Sequence, residues 1–283
     1  MSIRPLSSSL LCPSCRRLVS RDQERCPYCG LRHPGSRWNP SRLFALFANP
    51  DGVIPMITWA SVAMYIISLL LNPQGAGLSA SPFDFLSPSN RSLLILGATG
   101  TVAMDQLHRW WSLIAATYLH GSLLHIIFHM IALRQTGPLV INEFGGYRML
   151  VIYTVGGIAG FLLSYVVGIR FTMGASAAIC ALIGAALYYG KSRGGYYGDQ
   201  IYRQIGGWAI SIGVFGLLVP GINNWAHGGG MAGGALLGYL LGYRDLVRER
   251  PLHKLLGVGC AVLTALILIG AAVNSLVLVI AGA

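Results

Sequence analysis

Ser176 stands in the run Gly174-Ala175-Ser176-Ala177, and His227 stands in Ala226-His227-Gly228-Gly229-Gly230. A serine hydroxyl becomes a nucleophile only when a base takes its proton, and an imidazole does this well near neutral pH. His125 and His129 are four residues apart, so on a helix they share one face. All four lie in apolar stretches, where polar side chains are costly and their positions informative. Each has a plainer reading when taken alone. A serine in an Ala/Gly-rich helix usually bonds its own backbone, and glycines four apart usually mark packing. The conjunction is what points to nucleophilic chemistry.

A second group is Cys12-Pro-Ser-Cys15 and Cys26-Pro-Tyr-Cys29. Two such pairs can each bend around one ion, and four thiolates complete a zinc tetrahedron with no open position. Cys12, Cys15, Cys26 and Cys29 are therefore expected to hold a structural zinc that helps fold a module with little core of its own. Disulfides or a redox pair are the alternatives, and a cytoplasmic location argues against the disulfides. Cys180 and Cys260 read as packing residues inside apolar segments.

These groups must be positioned by membrane elements. The chain has 283 residues, 54% hydrophobic and only 10% charged, against about 25% charged in soluble domains. That excludes a soluble enzyme, a disordered chain and an ordinary nucleic-acid-binding domain. Seven stretches are long and apolar enough to span a bilayer, near 53–72, 111–133, 149–169, 171–190, 204–222, 225–243 and 255–283. The second could instead begin at Ser122, with Gly121 breaking the chain and Ser122 capping the helix. Of 20 Lys and Arg, 17 fall in the N-terminal tail and in 134–148, 191–203 and 244–254, and only Arg91, Arg109 and Arg170 on the other side. This bias predicts a cytoplasmic N-terminus and an outer C-terminus. It accounts for the net charge of +11 as topology and contact with anionic lipid, without nucleic acid. Residues 1–40 are polar and Arg-rich, so no secretory leader is expected, and a prokaryotic plasma membrane is favoured.

With that topology the second, fourth and sixth spans all run inward. Ser176 then lies about five residues into the fourth, ~8 Å deep at helical rise. His227 lies about one turn into the sixth. If the second starts at Ser122, His125 and His129 lie one to two turns into it, while His120 falls elsewhere. The sixth span repeats small residues every fourth position: Ala226, Gly230, Gly234, Gly238 and Gly242. The fourth offers Ser176, Cys180 and Gly184 on one ridge, and Ala177, Ala181 and Ala185 beside it. Two such faces can approach closely enough for imidazole to meet hydroxyl.

Those residues resemble the rhomboid family of intramembrane serine proteases over spans one to six, roughly 53–243. Gly174-Ala175-Ser176-Ala177 looks like its GxSx motif, and Ala226, His227, Gly230 and Gly234 match AHxxGxxxG in register. His120 and His125 match the pattern HxxxxHxxxN, and Glu143 and Gly145 resemble the acidic-glycine segment that follows. The sequence departs from the family at His129, where Asn is usual, and at Ala177, Cys180 and the pair Trp111-Ser112.

The resemblance implies a six-helix rhomboid-like core at 53–243. With the cysteine pairs and the apolar stretches, the expected fold is an all-α polytopic membrane protein with a zinc ribbon (1–38) and linker (39–52) before that core and a basic loop and seventh span (244–283) after it. It implies a catalytic dyad of Ser176 and His227, with oxyanion donors from the Ser176 backbone N–H, His125 and His129, and no catalytic cofactor. The spans hold no Asp or Glu, which favours a dyad over a triad. The implied partners are transmembrane protein substrates cut near the outer face, and membrane lipid. They would enter past a mobile fifth span that carries Gly206, Gly207, Gly213 and Gly216. Two alternatives stay open: a catalytically silent adaptor that binds membrane proteins, and a metal-dependent membrane enzyme or transporter using the histidines.

Overall fold

The computed structural model describes residues 9–12, 17–28, 30, 32–35, 50–72, 77–78, 84–246 and 249–280. At the N-terminus, β1 (Ser9–Leu11) pairs antiparallel with β2 (Leu18–Ser20). The hairpin closes where the Cys12 N–H donates to the Arg17 carbonyl at 2.9 Å. A second tight turn follows, with Gly30 N–H on the Cys26 carbonyl at 2.9 Å and a bridge between Arg25 and Arg32. Cys12, Cys26 and Val19 are buried together as its small core. Cys15, Cys29 and residues 39–49 of the expected linker lie outside the described residues.

Seven helices of 18 residues or more follow among the described residues: α1 (Pro50–Leu70), α2 (Leu123–Phe144), α3 (Gly146–Val166), α4 (Ser176–Arg193), α5 (Gly195–Leu218), α6 (Asn224–Leu241) and α7 (Pro251–Ile280). Five are long and apolar enough to cross a membrane by themselves, and α4 and α6 are not among them. These two are the helices expected to carry Ser176 and His227. Residues 177–186 of α4 are all buried, so neighbouring helices rather than lipid cover its Ala- and Gly-rich surface. A helix shielded in this way needs less hydropathy than one facing hydrocarbon.

Three expected boundaries are corrected. The stretch 111–133 is not one helix: Ser112–Ala115 and Ala116–Tyr118 form short buried turns, the chain breaks, and α2 starts at Leu123. The Ser122 hydroxyl caps that start, accepting from the His125 N–H at 3.3 Å. The stretch 134–148, expected to be a loop, is helical to Phe144, past Arg134 and through Pro138. It turns only at Gly145, whose φ of +98° favours glycine. Likewise 191–203 is largely helix, because α5 begins at Gly195. In each case the helix continues beyond the apolar run, because hydrogen-bonded backbone does not end where hydrocarbon does.

α4 packs centrally against α3, α5 and α6, with α7 behind α3. The α1–α2 connection holds a short helix, Asn90–Leu96, ended by Gly97 in the left-handed region, and the π-helical turn Val102–Gln106. Thr99 then pairs with Thr172 through both backbone bonds, at 2.9 and 2.8 Å. This bridge fixes the segment that leads into α4.

Candidate active site

Ser176 is the first residue of α4 and is half-buried. Its turn is held on two sides, by the Thr99–Thr172 bridge and by the Gly174 N–H donating to the Ala116 carbonyl at 2.9 Å. Gly174 has φ +121°. A Cβ there would lie 2.9 Å from His129 Cε1 and 3.0 Å from His125 Nε2, so glycine is what lets those rings approach the serine turn. At a helix start the first N–H groups have no intrahelical partner and carry the positive end of the dipole. Ser176 thus sits where backbone donors are available to an anion.

His227 lies in the first turn of α6, buried. The small-residue ridges interlock. A Cβ at Gly230 would collide with the Ala177 carbonyl, one at Gly234 with the Ala181 carbonyl, and one at Gly238 would stand 3.4 Å from Ala185 Cα. In return, a Cβ at Gly184 would collide with the Met231 carbonyl. Of the two ridges on α4, the alanines 177, 181 and 185 therefore face the α6 glycines. Gly160 of α3 closes the junction: a Cβ there would be 2.5 Å from the Ala226 carbonyl oxygen and 3.0 Å from Ala177 Cβ. The residues beside Ser176 and His227 thus meet at one point. Ser176 makes no hydrogen bond to His227 among the described contacts, and His227 Nδ1 is buried with no hydrogen-bond partner. Among the described residues no carboxylate orients the imidazole there.

His125 and His129 approach from α2. The Gly121 N–H donates to His125 Nδ1 at 3.1 Å. A neutral His125 therefore carries its proton on Nε2, the atom facing Gly174. His120 does not fall elsewhere as expected. Its ring centroid is 5.4 Å from that of His125 and 5.1 Å from that of His129, which are themselves 4.3 Å apart. The residue lies just before the α2 cap, so the break at Gly121 folds its ring back under the pair. Both His120 nitrogens are buried without partners. No group of three or more potential metal ligands is poised around an ion among the described residues.

Asn223 and Thr172 were not singled out from the sequence, although they join the serine and histidine segments. Asn223 accepts from the Ala226 N–H at 3.0 Å as the α6 cap, and donates to Thr172 Oγ1 at 3.0 Å and Ser164 Oγ at 2.8 Å. An Asn before a helix signals a cap, but nothing in the sequence reveals the reach of its amide. The tautomer-fixing donor from Gly121 is backbone and leaves no trace in residue type.

Residues 107–244 match the Rhomboid domain family and include all four candidate residues, Ser176, His227, His125 and His129. The chain is similar to the Rhomboid protease GluP of Bacillus subtilis (strain 168), 30% identical over 236 residues, covering 82% of this chain and 41% of that protein. It is similar to RHOMBOID-like protein 4 of Arabidopsis thaliana, 28% identical over 205 residues, covering 67% of this chain and 52% of that one. It is also similar to RHOMBOID-like protein 6, mitochondrial, of the same plant, 28% identical over 238 residues, with 78% and 74% covered. The chain spans about half the length of the first curated relatives it matches. With five membrane-capable helices among the described residues the chain is an integral membrane protein, and its residues 107–244, just under half of its length, are similar to the Rhomboid domain family.

Proposed function

We propose that the chain is an intramembrane serine protease that cleaves transmembrane proteins near the outer membrane face. The observation that carries this reading is the interlock of Ala177 with Gly230 and Ala226 at Gly160, which brings the serine turn against the histidine turn. Ser176 Oγ attacks the scissile carbonyl while His227 accepts its proton. The developing oxyanion is met by backbone N–H groups at the start of α4 and by the Nε2 proton of His125, with His129 beside it. Collapse expels the amine, which takes the proton from His227, and leaves an acyl group on Ser176. Water, deprotonated by His227, then attacks the acyl carbon, and collapse releases the acid while His227 returns the proton to Ser176 Oγ. A helical substrate carbonyl is bonded to its own backbone, so segments that unwind readily at small residues are the expected substrates.

The N-terminal module is read as a zinc ribbon holding one structural ion on Cys12, Cys15, Cys26 and Cys29. Support comes from the backbone bond between Cys12 and Arg17, from the bond of the Gly30 N–H to the Cys26 carbonyl, and from the burial of the Cys12 and Cys26 side chains together. The ion takes no part in the reaction. The tail and the basic loops are assigned to the cytoplasmic side.

The test is labelling of the purified full chain with an alkyl fluorophosphonate, alongside metal analysis. The wild type should be labelled and Ser176→Ala should not, and the preparation should contain about one zinc per chain. Equal labelling of the two proteins would remove Ser176 as nucleophile, and a folded but unlabelled wild type would leave the adaptor reading. A metal-free, fully folded preparation would remove the ribbon ion.

A further inference from the structure

We propose that Asn223 is a positioning residue that locks the nucleophile turn and the histidine helix into one register; the proposal rests on the protease reading above. Asn223 lies four residues before His227, and Thr172 four before Ser176. The carboxamide uses both ends. Its Oδ1 accepts from the Ala226 N–H at 3.0 Å, and its backbone carbonyl accepts from the His227 N–H at 3.2 Å. Its Nδ2 donates to Thr172 Oγ1 at 3.0 Å and to Ser164 Oγ at 2.8 Å. One side chain therefore ties together α6, α3 and the strand-like segment leading into Ser176.

The hydroxyls it reaches are themselves fixed. Thr172 is buried and its backbone is pinned on both sides by Thr99. Ser164 is fully buried and its hydroxyl donates a hydrogen bond to the Gly160 carbonyl at 3.2 Å. Gly160 is where Ala177 and Ala226 meet. The chain of bonds therefore ends at the contact that sets the spacing between hydroxyl and imidazole. The glycine–alanine ridges bring α4 and α6 together, but ridges of near-bare backbone do not resist sliding along their axes. A directional bond between Asn223 and Thr172 does. With no carboxylate on His227 Nδ1 among the described residues, the imidazole takes its position from the helix that carries it, so the register of that helix sets the position of the base.

Capping and locking can be separated. Asn223→Ser keeps an oxygen for the helix cap but is too short to donate to Thr172 and Ser164. Thr172→Val keeps the shape and removes the acceptor. Asn223→Asp keeps the cap but can only accept, and the single hydroxyl hydrogen of Ser164 is already donated to the Gly160 carbonyl. The measurement is alkyl fluorophosphonate labelling of Ser176 in the full chain, read as maximal rate and half-saturating concentration, with the thermal midpoint followed in parallel. Asn223→Ser and Thr172→Val should each lower the maximal rate about tenfold to a hundredfold, the scale expected of a small misplacement. Half-saturation and midpoint should change little. The double variant should be no slower than the slower single one, and Asn223→Asp, which cannot donate, should lose rate like Asn223→Ser. Wild-type labelling by Asn223→Ser, or losses that multiply in the double variant, would overturn the lock. A loss that tracks a fall in midpoint would reduce Asn223 to a helix cap. A folded wild type that is never labelled would instead bring down the protease reading, and the lock with it.

Discussion

At the scale of single residues, His125 is the side chain whose chemistry is most tightly prepared. Gly121 occupies its Nδ1 from the backbone, which leaves Nε2–H directed at Gly174 and the serine turn. An oxyanion donor must be in place before charge develops, because reorganisation at that moment would raise the barrier. Replacing His125 by Ala should lower the maximal fluorophosphonate labelling rate by roughly 10²–10³, the usual loss for one such donor, with half-saturation little changed. A shift in half-saturation alone would mean the ring only binds the probe. His129 is placed differently, with Cε1 rather than a nitrogen nearest Gly174 and Nδ1 buried without a partner. His129→Asn should therefore leave the labelling rate within a few-fold of wild type. That the helices carrying Ser176 and His227 pack together could be read from the spacing of their small residues. The division of labour between His125 and His129 could not, because it depends on which ring atom a backbone N–H happens to occupy.

At the scale of elements, α5 is the least enclosed of the inner helices. Its Gly207 and Gly213 have open space where a Cβ would be, and Gly206 only grazes Leu187 at 4.0 Å. It is close to α6 at Gly216, where a Cβ would stand 2.8 Å from Asn224 Cγ. That separation suits a disulfide, since the position of Asn224 Cγ approximates that of a cysteine sulfur. The double substitution Gly216→Cys with Asn224→Cys, once oxidised, should stop cleavage of a reporter transmembrane segment bearing Ala and Gly near its outer end. Fluorophosphonate labelling should persist and reduction should restore cleavage; unaltered cleavage would rule α5 out as the entry. The interlock of α4 with α6 was legible in the four-residue period of small side chains, because that period is the helix's own. The full lengths of α2 and α5 were not. Arg134, Glu143, Asp199 and Arg203 mark where hydrocarbon should end, and the hydropathy pattern says nothing about helix that continues beyond it.

At the scale of the whole molecule, the seventh helix is tied to the core at the end remote from Ser176. Arg148 of α3 is fully buried, donating from Nη1 to the Gly242 carbonyl at 2.6 Å and from Nε to His253 Nδ1 of α7 at 3.2 Å. Glu249, in the α6–α7 connection, lies over Gly145 and accepts from the Tyr147 N–H at 3.3 Å. Burial raises the Glu249 carboxyl above its ordinary value, with Arg244, Arg148, the Tyr147 N–H and Lys254 offsetting only part of that shift. Folding therefore favours the protonated acid. Its contribution to stability is complete below the unfolded-state value near 4.5 and is lost as pH rises through the higher folded value. Glu249→Gln keeps an acceptor for Tyr147 and cannot ionise. The Tm of the detergent-solubilised wild type should fall, relative to that of Glu249→Gln, as pH is raised from 4.5 through the folded value. Taking the difference at each pH removes the contribution of His253 and the neighbouring arginines, which both proteins share. Fluorophosphonate labelling at neutral pH should be the same in the two proteins, since the tie lies across the membrane from the serine turn. A Tm difference that stays constant from pH 4.5 to 8 would show that Glu249 does not titrate in its buried place.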